Sequence, residues 1–325
     1  MSFALSFPFF FLLSALTPLV ASVAEVSLPG LTLHSQATSF STFDLANDLT
    51  PAKSTLSSLA VVPAACADYQ GPSSECTTGN MSATAVTFED CGSAFTVCRC
   101  SDADMSMTDG IDRLARVPVG LRRFVGSVML MNGHGQTDAY TNLSTGDIHM
   151  FGVTQMDTWV HEATHSFDYA VPSAAQSNSA AWESALTDDS CASDDYSLTN
   201  RAEDFAQLSV LKVYMLLHSG VLPQPFKSAC MENQLAFISS LPVYSDTTSL
   251  FGNTCEIPDG AQGVRHSTPP AVLDESRVFR TVAFDAPLPS KTSSSASKIS
   301  TGMHGLGLVL VSTAIAVFSG WSLGM

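Results

Sequence analysis

Two histidines and a glutamate stand close together in the order His161-Glu162-Ala163-Thr164-His165. Residues four apart lie on one face of an α-helix, so a helix here would let both imidazoles bind one Zn²⁺ ion. Glu162 lies between the two histidines and would polarise a water molecule beside the metal. The pattern therefore predicts metal-assisted hydrolysis, with His161 and His165 as ligands and Glu162 as general base.

A zinc hydrolase of this kind needs a third protein ligand, and two carboxylate positions downstream are candidates. Glu203 lies near the start of a second predicted helix, and the adjacent pair Asp194 and Asp195 precedes that helix. Since Asn200 is a suitable helix cap, Glu203 also has a purely structural interpretation as its capping-box partner. Asp168 is either a partner that accepts an imidazole N–H or a solvated acid at the helix end.

The chain around these residues predicts two strands and two helices. An apolar run within residues 121–131 and another at residues 147–152 indicate strands, and we expect helices from about 155 to 169 and from 200 to about 218. The strand near Ile148 would offer its edge to an extended peptide, and the two helices would carry the ligands. Together these elements predict an α+β fold.

The charge balance narrows the possible partners. The chain has 325 residues, with 14 Lys and Arg against 30 Asp and Glu, and its formal net charge is −16. No basic surface is available to neutralise phosphates, so nucleic acid is excluded as a partner. A polypeptide substrate is the expected partner, and the sequence leaves the oligomeric state open.

The first 24 residues are typical of a secretory signal peptide. An apolar block at residues 3–13 is followed by small residues at 21–24, which suit signal peptidase. A membrane anchor is the alternative, but about 20 apolar residues are needed to span a bilayer and Pro8 and Pro18 interrupt this run. We therefore expect passage through the secretory pathway.

The other end of the chain has the order of a GPI-anchor signal: small residues, a short spacer and an uncharged apolar tail at residues 306–325. We expect residues 298–325 to be removed and residues 257–297 to form a Ser/Pro-rich stalk. The candidate attachment residues are Ser294, Ser295 and Ser297. A plain membrane span is the alternative, although such a helix normally carries Lys or Arg on its cytoplasmic side. A lipid anchor would place the protein on the outer leaflet of the plasma membrane or in the cell wall.

The cysteines fit a secreted chain, because their number is even and none lies in either terminal signal. They are Cys66, Cys76, Cys91, Cys98, Cys100, Cys191, Cys230 and Cys255. We expect up to four disulfides, with the connectivity left open, and a disulfide-stapled, loop-rich N-terminal region at residues 25–110, which is a pro-segment or part of the mature protein. Asn80 and Asn142 begin sequons for N-glycosylation.

A second motif surrounds the candidate third ligand: Tyr196-x-x-Thr199-Asn200-x-Ala202-Glu203-x-Phe205-Ala206. With the first motif, it resembles the zinc-peptidase domain of the anthrax lethal factor-like gluzincins. The resemblance covers residues 157–207 and implies a zincin-like catalytic domain, which we place at residues 111–256. It also implies that His161, His165 and Glu203 bind Zn²⁺, that Glu162 is the general base, and that Tyr196 assists at the transition state.

Two further comparisons refine this expectation. Gln207 stands where gluzincins commonly have an acidic residue that supports the metal site, so this chain departs from the family's pattern in the residue that supports the site. The motifs are also similar to secreted fungal peptidase-like proteins of the conidiation-associated group. The Gly-Thr-x-Asp-x-x-Tyr-Gly signature of deuterolysin-like aspzincins is absent, which disfavours Asp194 and Asp195 as ligands.

The sequence thus predicts an extracellular, GPI-anchored zinc metallopeptidase that hydrolyses peptide bonds. The alternative is a catalytically inactive cell-surface or cell-wall protein on a peptidase-like scaffold.

Overall fold

The structure is a computed structural model that describes residues 28, 31–33, 43–67, 76, 78–170, 175–224, 226–252, 255 and 280–282. All of these residues belong to the first of two compact units, residues 1–284. The second unit, residues 285–325, lies outside the described residues. The predicted signal peptide, anchor signal and most of the predicted stalk lie outside them as well.

The described residues form an α+β fold on a mixed seven-stranded sheet. The strands are β1 (Thr32–Leu33), β2 (Ser54–Leu59), β3 (Met81–Phe88), β4 (Cys91–Cys100), β5 (Ser127–Met131), β6 (Asp138–Asn142), β7 (Asp147–Phe151), β8 (Cys191–Ala192) and β9 (Arg280–Val282). The large sheet has the order β6-β7-β5-β4-β3-β2-β9. Its pairs β4–β5 and β5–β7 are parallel, and its other pairs are antiparallel. Strands β1 and β8 form a separate parallel pair.

The helices are α1 (Leu45–Asp48), α2 (Ala64–Ala67), α3 (Met107–Arg116), α4 (Val119–Arg122), α5 (Met156–Asp168), α6 (Ala180–Asp188), α7 (Arg201–Leu217), α8 (Glu232–Ser240) and α9 (Thr247–Phe251). Helix α5 is the central one, because it contacts α3, α4 and α7 as well as β6 and β7. In the described part of the chain, no helix has the length and apolar character needed to cross a membrane.

The strand predicted within residues 121–131 and the strand predicted at residues 147–152 are confirmed as β5 and β7. All five residues of β5 are buried, which fits a strand with parallel neighbours on both sides and covered faces. The two predicted helices are confirmed as α5 and α7. Most of the uncharged residues of α5 are buried, and Trp159, Val160 and Ala163 belong to the hydrophobic core.

The edge of the large sheet next to β7 is formed by β6, not by β7 itself. Strand β7 pairs with both β5 and β6, so the prediction that the strand near Ile148 offers its edge is wrong. The edge belongs to β6, which follows the loop after β5. Gly152 at the end of β7 has φ 72°, and a Cβ there would lie 2.2 Å from the Gln136 carbonyl oxygen. A glycine is therefore required where the loop that leads into β6 crosses the end of β7.

The prediction of a loop-rich region at residues 25–110 is wrong for its described part, which contributes the long strands β2, β3 and β4. These strands are rich in Ser, Thr and Ala, as in the β3 sequence MSATAVTF. Such small residues give a weak hydrophobic pattern, although Thr and Val favour strands. Strand β4 pairs with β5, so one sheet includes strands from both sides of residue 110.

Four disulfides are present, which confirms the number expected. The pairs are Cys66–Cys98, Cys76–Cys100, Cys91–Cys255 and Cys191–Cys230. The first two attach the segment between β2 and β3 to strand β4. Cys91–Cys255 connects the start of β4 to the C-terminal part of the described chain. Asn80 and Asn142, the candidate glycosylation sites, are both exposed.

The Cys91–Cys255 bond encloses a sequence separation of 164 residues, against 24 for Cys76–Cys100. The loop-closure model gives about 5 kcal/mol for the longer loop and about 3.5 kcal/mol for the shorter one. We therefore expect a larger loss in the free energy of unfolding when Cys91 and Cys255 are both changed to Ala than when Cys76 and Cys100 are. Urea unfolding measures both losses, and the reverse order would contradict this connectivity.

Candidate metal centre

Helix α5 places the two histidines of the first motif on one buried face. His161 is 5% exposed and His165 is 6% exposed. Their Nε2 atoms lie 3.0 Å apart, and their rings meet at an interplanar angle of 83°. Both imidazoles therefore direct a nitrogen at the same point, as the four-residue spacing predicts.

Glu203 completes this cluster from the first turn of α7. Its Oε2 atom lies 2.9 Å from His161 Nε2 and 3.1 Å from His165 Nε2. Asn200 is the predicted cap of α7: its side chain accepts hydrogen bonds from the backbone N–H groups of Ala202 and Glu203. The Glu203 carboxylate is directed to the histidines instead of back to the cap.

The three donor atoms suit a zinc ion in chemistry and in spacing. Two imidazole nitrogens and one carboxylate oxygen form a common catalytic zinc set, and tetrahedral bonds of 2.0–2.1 Å would separate ligand atoms by about 3.3 Å. The observed separations of 2.9–3.1 Å are close to that value. Among the described residues, these three are the one group of His, Cys, Asp or Glu with the spacing to hold a metal ion.

The charges in the cluster stabilise one another. Burial alone would raise the pKa of Glu203, but hydrogen bonds from His161 and His165 outweigh burial and lower that pKa well below its usual range. For His165, burial would lower the pKa, and the Glu203 carboxylate raises it overall. Glu203 is therefore a carboxylate at neutral pH, which is the form that binds a metal.

His161 has a hydrogen-bonded partner behind it. Its Nδ1 atom lies 3.0 Å from Gln207 Oε1, and Gln207 Nε2 donates to Asp194 Oδ2. Gln207 thus contacts one of the candidate ligand histidines. Asp194 lies behind it and is outside the ligand cluster, whereas Asp195 is exposed.

Asp168 does not have the role of accepting an imidazole N–H. It is buried at the end of α5 and accepts hydrogen bonds from the Ser177 N–H at 3.0 Å and from the Ser177 hydroxyl. His165 Nδ1 has no hydrogen-bond partner among the described residues. Both expectations for Asp168 are therefore wrong: it is neither a histidine partner nor a solvated acid, because the segment before α6 folds back over it.

The Glu162 carboxylate contacts strand β6. The Thr141 hydroxyl lies 2.6 Å from Glu162 Oε2 and 3.0 Å from the Glu162 carbonyl oxygen. Since the hydroxyl has one hydrogen, the shorter contact makes the carboxylate its main acceptor. Sequence reasoning missed Thr141, because a residue 21 positions upstream on another element shares no spacing signal with Glu162.

Tyr196 lies beside His161 and is partly exposed. Its ring centroid is 5.6 Å from that of His161, and the side chain is 49% exposed. Partial burial of the phenol and the nearby Glu203 and Glu162 carboxylates raise the pKa of Tyr196. The hydroxyl therefore keeps its hydrogen and is able to donate it in a hydrogen bond.

Two clefts have Glu162 and Tyr196 in their lining. One has a volume of about 200 Å³ and is lined by His161, Asp138 and Asp157. The other has a volume of about 150 Å³ and is lined by His165, Tyr140, Leu143 and Tyr169. Ala139 of β6 lines both clefts, so the edge strand runs past the cluster from one cleft to the other.

Comparison with known proteins identifies the family. The family described as conidiation-specific protein Con-13 matches residues 39–256, so the chain belongs to the Con-13 family. Conidiation-specific protein 13 of Neurospora crassa is 28% identical over 196 residues, which are 58% of this chain and 56% of that protein. The matched region thus covers little more than half of that relative. No solved structure matches the chain.

This finding corrects the family assignment made from the motifs. The family that matches is Con-13, and no peptidase family is shown beside it, so the assignment to the lethal factor-like gluzincins is wrong. The similarity to a conidiation-associated group agrees with the family name, but the description of that group as peptidases has no support there. The motif of residues 161–165 is short enough to occur in unrelated families. Any function must therefore be argued from the site itself.

The contact between Thr141 and Glu162 gives a stability prediction. Thr141→Val removes the hydroxyl that donates to a carboxylate only 4% exposed, and losing a hydrogen bond to a buried charge costs about 1.5–3 kcal/mol. Thr141→Ser keeps the hydroxyl and should lose less. Urea unfolding of the two variants tests this difference, and equal stability would show that the hydroxyl does not hold the carboxylate.

Proposed function

We propose that this protein is a zinc metallopeptidase in which His161, His165 and Glu203 hold Zn²⁺. The observation that carries the proposal is the position of Glu203 Oε2, within 3.1 Å of both Nε2 atoms. Zinc bound there would supply a Lewis acid beside the two clefts. The donor set leaves one position of a tetrahedral ion for water or substrate, as catalytic zinc sites do.

The residues around the cluster have suitable roles in hydrolysis. Glu162 would take a proton from a water molecule in the cleft and pass it to the leaving amine. Thr141 would hold the Glu162 carboxylate in place during this transfer. The Tyr196 hydroxyl would donate a hydrogen bond to the oxygen on which negative charge develops.

The shape of the site favours an extended polypeptide as substrate. Strand β6 is an edge strand that lines both clefts, and an edge strand binds an extended chain through main-chain hydrogen bonds. A peptide along β6 would pass Glu162 at the junction of the two clefts. The sheet edge together with α5 and α7 would then form a zincin-like catalytic arrangement.

We also propose that the protein is secreted and held on the outer leaflet of the plasma membrane, or in the cell wall, by a GPI anchor. The four disulfides support an oxidising route, because such bonds persist in extracellular proteins. The apolar, uncharged tail at residues 306–325 supports the anchor.

Hydrolysis of a broad peptide library by the purified protein tests the catalytic proposal. Glu162→Gln should retain zinc but lower the rate about 100-fold or more, because it removes the general base. Glu183→Gln is the matched control, since Glu183 is exposed on α6. Chelation should abolish the activity of the wild type, and added Zn²⁺ should restore it.

Two results would contradict the catalytic proposal. The first is wild-type protein that contains zinc but cleaves nothing in the library. The second is a Glu162→Gln variant as active as the wild type. The first result would favour the inactive surface protein on a peptidase-like scaffold.

Anchoring is tested on intact cells with a phospholipase specific for phosphatidylinositol. We expect the enzyme to release the wild-type protein into the medium, since it cuts the lipid from a GPI anchor. A chain that ends before residue 293 should already be in the medium without the enzyme. Wild-type protein that stays on the cells after treatment would contradict a membrane-bound GPI anchor.

A further inference from the structure

The contact between His161 and Gln207 depends on which way the Gln207 side-chain amide is turned. A glutamine amide presents either its oxygen or its NH₂ group to a neighbour, and the two orientations have nearly the same shape. Only the oxygen can accept from an Nδ1–H group of His161. The opposite orientation would place NH₂ against Nδ1 and favour the tautomer with hydrogen on Nε2, which is the atom directed at the metal position.

Asp194 resolves this ambiguity. Gln207 Nε2 donates to Asp194 Oδ2 at 2.5 Å, so the amide NH₂ group faces Asp194 and the amide oxygen faces His161. The other carboxylate oxygen, Oδ1, accepts from the Ser197 backbone N–H at 2.8 Å. Both oxygens therefore have a donor, and the buried side chain is held from two sides.

The arrangement connects both nitrogens of one imidazole to the same helix. Glu203 and Gln207 are four residues apart on α7, and they contact His161 at Nε2 and Nδ1 respectively. Gln207 Oε1 can accept the Nδ1 hydrogen only while its NH₂ group is bound elsewhere. Asp194 lies outside α7 and supplies that acceptor.

We propose that Asp194 is a positioning residue for the metal centre. It fixes the Gln207 amide so that Oε1 accepts from His161 Nδ1–H, which leaves His161 Nε2 free to bind the metal. This inference rests on the zinc site of the proposed function and assigns Asp194 a role other than ligand.

The Asp194→Asn variant tests the proposal sharply because of Ser197. The Ser197 N–H needs an acceptor, so the new amide at position 194 must present its oxygen there and its NH₂ group to Gln207. Gln207 must then turn its own oxygen towards position 194 and its NH₂ group towards His161. Loss of such an outer partner weakens metal binding by about 10–100-fold, and we expect a loss in this range.

Zinc affinity is measured by competition with a chelating dye on the purified full-length protein. Asp195→Asn is the matched control, since it makes the same change at the exposed neighbouring residue. We expect its affinity to equal that of the wild type.

A double variant tests the mechanism itself. When Asp194→Asn is combined with Gln207→Glu, the amide NH₂ group at position 194 donates to one oxygen of the new carboxylate at position 207. The other oxygen of that carboxylate accepts from His161 Nδ1–H. The double variant should therefore recover most of the affinity lost in Asp194→Asn. Gln207→Glu alone should remain weak, because it places two carboxylates against each other.

The outcomes separate this inference from the proposed function. Wild-type protein that binds no zinc would overturn both. Zinc affinity in Asp194→Asn equal to that of the wild type would overturn the role of Asp194 alone. A double variant that fails to fold, or that binds zinc no better than Asp194→Asn, would also overturn it, because the two changes are expected to compensate.

Discussion

The contact of one carboxylate oxygen of Glu203 with two imidazole nitrogens is the interaction on which the site depends. It joins α7 to α5 at a buried position, with Oε2 within 3.1 Å of the Nε2 atoms of His161 and His165. Burying three polar atoms so close together costs free energy unless a bound cation or hydrogen bonds between them compensate. A metal ion bound in this cluster would contact all three atoms, the two Nε2 atoms and Glu203 Oε2, at the same time.

The rest of the fold holds this contact from several directions. The edge strand β6 supplies Thr141 to Glu162, and α7 supplies Gln207 behind His161. The segment that carries Asp194 and Tyr196 follows strand β8, which the Cys191–Cys230 bond fastens in place. Two ligands and the general base thus come from α5, and the third ligand and Gln207 come from α7. Thr141 and Asp194 come from outside these two helices, and disulfides and the sheet connect the elements.

The sequence was sufficient for the parts of the site that repeat at helical spacing. His161, Glu162 and His165 lie on one helix, and Glu203 lies in the capped first turn of the next long helix, where a local motif predicted it. The contacts of Thr141 and Asp168 depend on segments that fold back from elsewhere, so no spacing indicated them. The strands β2–β4 were missed because their small residues carry little hydrophobic pattern. The family assignment from the motifs is wrong because the motif of residues 161–165 is shared by unrelated families, whereas the Con-13 match extends over residues 39–256.

Zinc content per chain is the most direct test of the metal site. Elemental analysis of the purified wild-type protein, compared with Glu203→Ala and His161→Ala variants that remain folded, measures it. We expect one zinc ion per wild-type chain and little or none in either variant, because each variant lacks one of the three ligands. Wild-type protein without zinc after incubation with the metal, or variants that keep it fully, would contradict the three-ligand zinc site.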